Sequence, residues 1–116
     1  MTARTDRDDT ASESKRLSDT WPVARYIRLL REHRSDLARR YNIASLGIFG
    51  SYVRNEQRDG SDLDILVSFT EAPALFKLVE LQDELTELLG LSVDLVVRSE
   101  LKPRIGQRIL AEVIEL

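Results

Sequence analysis

Two stretches of this chain combine residue types that can do chemistry together. One reads Gly50-Ser51-Tyr52-Val53-Arg54, and six residues later comes Ser61-Asp62-Leu63-Asp64. A further acidic residue, Asp94, interrupts the apolar run Val93-Asp94-Leu95-Val96-Val97. On a strand, side chains two positions apart project to the same face, so Asp62 and Asp64 point together, with Leu63, Ile65 and Val67 opposite. Two carboxylates about 6–7 Å apart along the backbone repel unless a cation lies between them. The chain has no cysteine and one histidine, His33, so the donor set for such a cation is oxygen and the expected metal is magnesium or manganese. An unpaired carboxylate buried at Asp94 would cost several kcal/mol or be forced neutral, at about 2–7 kcal/mol for even an uncharged polar group. If its strand pairs beside the one carrying Asp64, a three-carboxylate cluster forms, of the kind that holds one or two metals for phosphoryl or nucleotidyl transfer.

The glycine-serine pair complements the carboxylates. Gly50-Ser51 follows an apolar segment and opens a turn, where a residue without a side chain lets a phosphate approach the backbone. Exposed N–H groups at the start of a short helix near Tyr52 would favour an anion, and the Ser51 hydroxyl adds a hydrogen bond. Phosphate at one end and metal beside it describe a nucleoside triphosphate site. Each piece has a plainer reading: Gly-Ser as an ordinary turn, Ser61-Asp62 as a turn or cap pair, Arg54 as a surface ion pair or structural group. The joint order and placement are far more specific than the parts.

The surrounding pattern supplies elements to hold these residues. Residues 1–18 contain one Leu, one Met and no aromatic, with charges of both signs, which predicts a mobile tail. Asp19 or Thr20 can cap a helix with Pro22 in its first turn. Val23, Ile27, Leu30, Leu37 and Tyr41 then carry helical spacing over residues 21–41. Its remaining positions hold Arg25, Arg28, Arg31, Arg34, Arg39 and Arg40, a solvated face or a docking surface. Ile43–Phe49 predicts a buried strand and Leu63–Val67 a second. Leu75, Leu78, Leu81, Leu85 and Leu88 mark an amphipathic helix between Pro73 and Gly90. Val93–Val97 is a third strand, and Pro103 introduces a last helix to about Glu115. The predicted class is α+β, one domain over residues 19–116, with a small mixed sheet packed by helices.

Composition narrows the function. At 116 residues the chain suits one domain that buries roughly two-thirds of its unfolded surface without covalent staples. The absence of cysteine excludes a disulfide scaffold and a thiolate metal site. A net charge of −3 argues against a protein that coats nucleic acid, and no residue visibly reads a base. No apolar run approaches the roughly 20 residues of a membrane span, and no signal-peptide core opens the chain. A cytoplasmic domain is expected.

With these residues in order, the chain resembles the nucleotidyltransferase superfamily typified by DNA polymerase β, in its minimal form. The superfamily pattern is Gly-Ser at a turn, Asp-x-Asp on the next strand, then a distant third Asp; Gly50-Ser51, Asp62, Asp64 and Asp94 match it. The minimal branch reads Gly-Ser-x-x-Arg-Gly, five residues, Ser-Asp-Leu-Asp, against Gly50-Ser51-Tyr52-Val53-Arg54-Asn55, five residues, Ser61-Asp62-Leu63-Asp64. Lys102-Pro103-Arg104-Ile105 through Ile109-Leu110 resembles the branch's last helix, so the likeness spans residues 24–116. The departure is Asn55 for Gly; Asn is the commonest other visitor to left-handed geometry, so the turn is expected to survive.

The resemblance implies transfer of a nucleoside monophosphate from a triphosphate to an acceptor, with release of pyrophosphate. It implies two magnesium ions, one bridging Asp62, Asp64 and the phosphates, and one on Asp94 that helps deprotonate the acceptor hydroxyl. Gly50, Ser51, Arg54 and Ser61 would bind the nucleotide, with ATP as substrate. Members of this branch are typically antitoxins paired with HEPN-domain ribonuclease toxins, which some of them modify with AMP. The acceptor expected here is a tyrosine hydroxyl of such a toxin, docked on the arginine face of the first helix or on the last helix. An antitoxin that neutralises by contact alone is the alternative; a stand-alone enzyme on a small molecule is disfavoured, because the minimal domain leaves no room for an acceptor pocket.

Overall fold

The computed structural model describes residues 20–116; the readings made for residues 1–18 and for Asp19 lie outside them. The elements run α1 (Pro22–Tyr41), β1 (Ile43–Phe49), α2 (Ser51–Arg54), β2 (Leu63–Phe69), α3 (Leu75–Leu89), β3 (Val93–Val97), a 3-10 turn (Arg98–Glu100), α4 (Pro103–Glu112) and β4 (Ile114–Glu115). The four strands form one mixed sheet in the order β3-β2-β1-β4. β1 pairs antiparallel with both β2 and β4, while β2 and β3 run parallel. The parallel pair requires a crossover, which α3 supplies. No described helix is long and apolar enough to cross a membrane.

The helix periodicity reads directly as packing. Val23, Ile27, Leu30, Leu37 and Tyr41 of α1 and Leu81, Leu85 and Leu89 of α3 are buried against Leu46, Ile48, Leu63, Ile65 and Val67 of the sheet. Leu66 is buried as well but falls outside that cluster, as strand alternation requires of the face opposite α1 and α3. A polar staple joins the two helices: Tyr41 donates its hydroxyl to Glu84 at 2.7 Å, and the Arg40 guanidinium pairs with the same carboxylate and with Asp36. α1 begins with Trp21 at its N-cap and no side-chain cap bond, so the cap does not fall to Thr20. It ends at Asn42, whose left-handed backbone (φ 57) turns the chain into β1.

The C-terminus departs from expectation. The last helix stops at Glu112 rather than near Glu115, and Ile114–Glu115 adds a strand to the free edge of β1. Two features account for this. Val113 is extended, and Gly47, its neighbour on β1, has no side chain: a Cβ there would sit 2.7 Å from Val113 Cγ2 and 3.0 Å from the Ile114 carbonyl oxygen. Leu116 donates its N–H to the Leu46 oxygen at 2.8 Å, and Arg98 pairs with Glu115 at 2.7 Å. Edge pairing captures a segment whose helical continuation would have left β1 uncovered.

Candidate active site

Register brings the acidic residues together. Asp64 is the second residue of β2, opposite Phe49 on β1 and opposite Asp94 on β3. Neighbouring strands lie about 4.8 Å apart, so the parallel pairing sets the two aspartates side by side. Asp62 lies one residue before β2, and the Leu63 N–H that follows it bonds the Ser92 oxygen at 2.9 Å, fixing the approach to the strand. Asp62 and Asp94 are exposed and Asp64 half-buried. The expectation of a buried Asp94 is therefore corrected: its side chain reaches solvent at the sheet edge, where β3 has no outer neighbour.

Electrostatics single out Asp64. Loss of solvent, then the charges of Asp94, Asp62 and Glu112, push its carboxyl up from 3.8 to about 6, against a smaller opposing pull from Arg54. A desolvated carboxylate with like charges around it is the environment that a divalent cation relieves. Among the described residues, no three acidic or histidine side chains already stand around a common point as a ready metal cage. Magnesium does not need one, because it is held through one or two carboxylates, water and substrate phosphates. The donor set therefore fits as carboxylate pairs that a triphosphate completes.

Gly50 connects this cluster to the anion side. Its backbone (φ 87, ψ −158) lies where only glycine is comfortable, and any Cβ there would collide with the Asp64 carboxylate. Beyond it, Ser51–Arg54 makes a single turn, and Asn55 ends it in left-handed geometry (φ 58), so Asn does take the role of the motif glycine. The Ser51 hydroxyl makes no hydrogen bond with the described residues, and its carbonyl accepts the Glu56 N–H at 2.9 Å. Ser61 Oγ accepts the Arg58 N–H at 2.8 Å while its own N–H returns to the Arg58 oxygen, closing the turn that delivers Asp62.

The Gly50 N–H is not free. It donates to Glu112 Oε2 at 2.7 Å, and Arg54 Nη1 donates to Glu112 Oε1, also at 2.7 Å. Arg54 reaches Glu56 as well, at 3.0 Å. A cleft of about 290 Å³ opens here, lined by Phe49, Gly50, Arg54, Ile105, Arg108, Ile109 and Glu112. None of the three aspartates lines it; Asp64 adjoins it through Gly50. Glu112 and Arg108 were not anticipated from sequence. Their positions relative to Ile105 and Ile109 put all four along one side of α4, the helical spacing that could have flagged them.

Comparison with known proteins agrees with the geometry. Residues 30–116 match the model of the nucleotidyltransferase domain family. The chain is 48% identical over 86 residues to a protein of Thermococcus cleftensis named protein adenylyltransferase MntA, covering 74% of this chain and 87% of that one. A solved structure described as a minimal nucleotidyltransferase superposes with a TM-score of 0.65 at 37% identity, covering 81% of this chain and 91% of that one. A solved toxin–antitoxin complex of MntA and HpeT contains a chain with a TM-score of 0.59 at 26% identity, covering 81% of this chain and 70% of that one. Carboxylates in register, a glycine wedged against Asp64 and relatives of this closeness place the chain in one group: it belongs to the nucleotidyltransferase domain family, in its minimal form.

Proposed function

We propose that this chain, an enzyme of the nucleotidyltransferase class, transfers AMP from ATP to a hydroxyl of a partner protein. The partner in this reading is a cytoplasmic HEPN-domain toxin, and the modification silences it. The observation that carries the reading is the register pair Asp64–Asp94, with the Asp64 carboxylate packed against Gly50, whose N–H and neighbouring Arg54 form an anion-binding corner at the cleft. The name of the Thermococcus cleftensis relative supports the reaction, and the MntA–HpeT toxin–antitoxin complex supports a toxin as the partner.

Each side chain has a task. Asp62 and Asp64 would hold one magnesium ion together with the phosphates, and Asp94 a second. Bound there, the ions supply Lewis acidity at the α-phosphorus and acidify the acceptor hydroxyl. Gly50 N–H and Arg54 receive phosphate oxygens, and the Ser51 hydroxyl donates another hydrogen bond. Ser61 holds the turn from which Asp62 projects. Asp94 takes the acceptor proton, the acceptor oxygen bonds the α-phosphorus, and the bond from that phosphorus to the bridging oxygen breaks, releasing pyrophosphate. A tyrosine suits this site: its hydroxyl ionises near pH 10, within reach of a carboxylate base once acidified, and neither His nor Cys is needed. The exposure of Asp62 and Asp94 at the sheet edge suits an acceptor carried on a folded partner. Ile105, exposed on α4, offers that partner apolar contact at the cleft.

The test is co-expression with the protein encoded beside this chain, the candidate toxin, followed by intact-mass measurement after incubation with ATP and magnesium. The toxin is expected to gain one or more AMP units with this chain and none with the Asp62→Asn, Asp64→Asn double variant. If the double variant silences the toxin equally well with no mass change, neutralisation by contact replaces the proposal.

A further inference from the structure

One carboxylate fills the anion-binding corner of this site. Glu112, the last residue of α4, places Oε2 on the Gly50 N–H and Oε1 on Arg54 Nη1, each at 2.7 Å. Two oxygens of one anionic group on a backbone N–H and a guanidinium is also how a phosphoryl group binds. The two cannot share the corner: the Gly50 N–H has a single hydrogen, already given to Glu112, and although Arg54 has further N–H donors, a phosphoryl group placed there would meet the charge of the Glu112 carboxylate. Glu112 is positioned for this by the same features that end α4. Val113 turns extended against Gly47, and the last residue of the helix is thereby held over the Gly50 turn. It is not locked in, since its side chain is about a quarter exposed and Arg54 is about half exposed, so both can swing into solvent.

We infer that Glu112 is an internal latch, a carboxylate that occupies the Gly50–Arg54 corner in the empty enzyme and must be displaced by the nucleotide's phosphates. The inference rests on the proposed nucleotidyl transfer for its purpose, but its geometry belongs to the chain alone. The latch has two consequences. It reduces apparent affinity for the triphosphate by the fraction of time the corner is closed. Release on nucleotide binding also frees the α4 end, and with it the wall formed by Ile105, Arg108 and Ile109, which couples the nucleotide to the shape of the cleft.

The experiment is calorimetric titration of the full chain and of Glu112→Gln with two probes, magnesium-ATP and inorganic tripolyphosphate. Gln keeps the length and one oxygen acceptor but removes the charge and the second acceptor. The latch predicts tighter binding of both probes by Glu112→Gln, about tenfold if the corner is closed nine-tenths of the time. In the wild-type chain, the Gly50 backbone ¹⁵N resonance and the Arg54 guanidinium ¹⁵N resonances should shift on adding tripolyphosphate. If Glu112 merely holds Arg54 in place, the variant binds both probes more weakly, and that result, or equal binding, overturns the latch. Should Glu112→Gln fold poorly, Glu112→Asp shortens the carboxylate by one methylene and should tighten tripolyphosphate binding in the same direction. Tripolyphosphate has no nucleoside, so the two readings separate. Tighter tripolyphosphate without AMP transfer upholds the latch and sinks the transfer reading, while unchanged tripolyphosphate with intact transfer sinks the latch alone.

Discussion

Asp64 and Asp94 are register partners across the parallel β2–β3 pairing, two carboxylates forced side by side by backbone hydrogen bonds that neither can escape. The loss of solvent at Asp64, added to by their repulsion, stabilises the protonated carboxyl up to about pH 6. Below the unfolded value near 3.8, both folded and unfolded chains carry the proton. Between about 4 and 6 the folded chain alone retains it, so this carboxyl's contribution to stability falls as pH rises through that window. Without metal, Asp64→Asn is therefore expected to melt several degrees above wild type at pH 7, on the order of 1 kcal/mol for a half-exposed group. The gap should close below about pH 4. Thermal melts in chelator across pH 3.5–8 check this; a variant less stable than wild type at pH 7 counts against the repulsion.

Gly50→Ala should be damaging out of proportion to one methyl group. The positive φ costs about 1–3 kcal/mol for a residue with a side chain, and the new Cβ drives into Asp64. Urea unfolding is expected to show at least that loss. Titration with magnesium-ATP should also show lost affinity even where the variant remains folded.

Asn55 gives a gentler test of the same turn. Asn55→Ala must hold φ near 58 without the help of an amide side chain and should cost about 1–2 kcal/mol, while Asn55→Gly should be close to neutral. Equal stability of the two variants, measured by denaturant midpoint, would show that left-handed geometry is not what this position requires.

At the opposite edge of the sheet, Gly47→Ala should loosen β4. The added methyl meets Val113 and the Ile114 carbonyl, an overpacking cost of about 1–3 kcal/mol. The sensitive readout is hydrogen exchange at Leu116, whose N–H bonds the Leu46 oxygen; its protection should fall while that of Ile65 in the sheet centre holds.

Much of this was legible in the sequence, and the reasons are specific. Val23, Ile27, Leu30 and Leu37 repeat at helical spacing because one face of α1 packs the sheet, and all four are buried. Asp64 and Asp94 could be set side by side because β2 and β3 are consecutive strands joined by a helix, which makes parallel pairing the natural arrangement, whereas Asp62 falls one residue before β2. The exposure of Asp94 was not legible, since an apolar run looks the same on an edge strand as in a sheet centre. β4 was invisible for a related reason. Ile114 and Glu115 continue the helical pattern of α4, and only the side-chain-free Gly47, far away in sequence, offers them a strand to join. Glu112 was missed because its partners, Gly50 and Arg54, lie 62 and 58 residues away.

The central claim is that the α-phosphate, with its nucleoside, moves to the partner. Parallel incubations of this chain and the proposed partner toxin, with magnesium and ATP labelled at either the α- or the γ-phosphorus, read it directly. Label from the α-position is expected on the toxin, none from the γ-position, and none from either with the Asp62→Asn, Asp64→Asn double variant. Label carried over from the γ-position, or α-label that persists in the double variant, would contradict nucleotidyl transfer by this site.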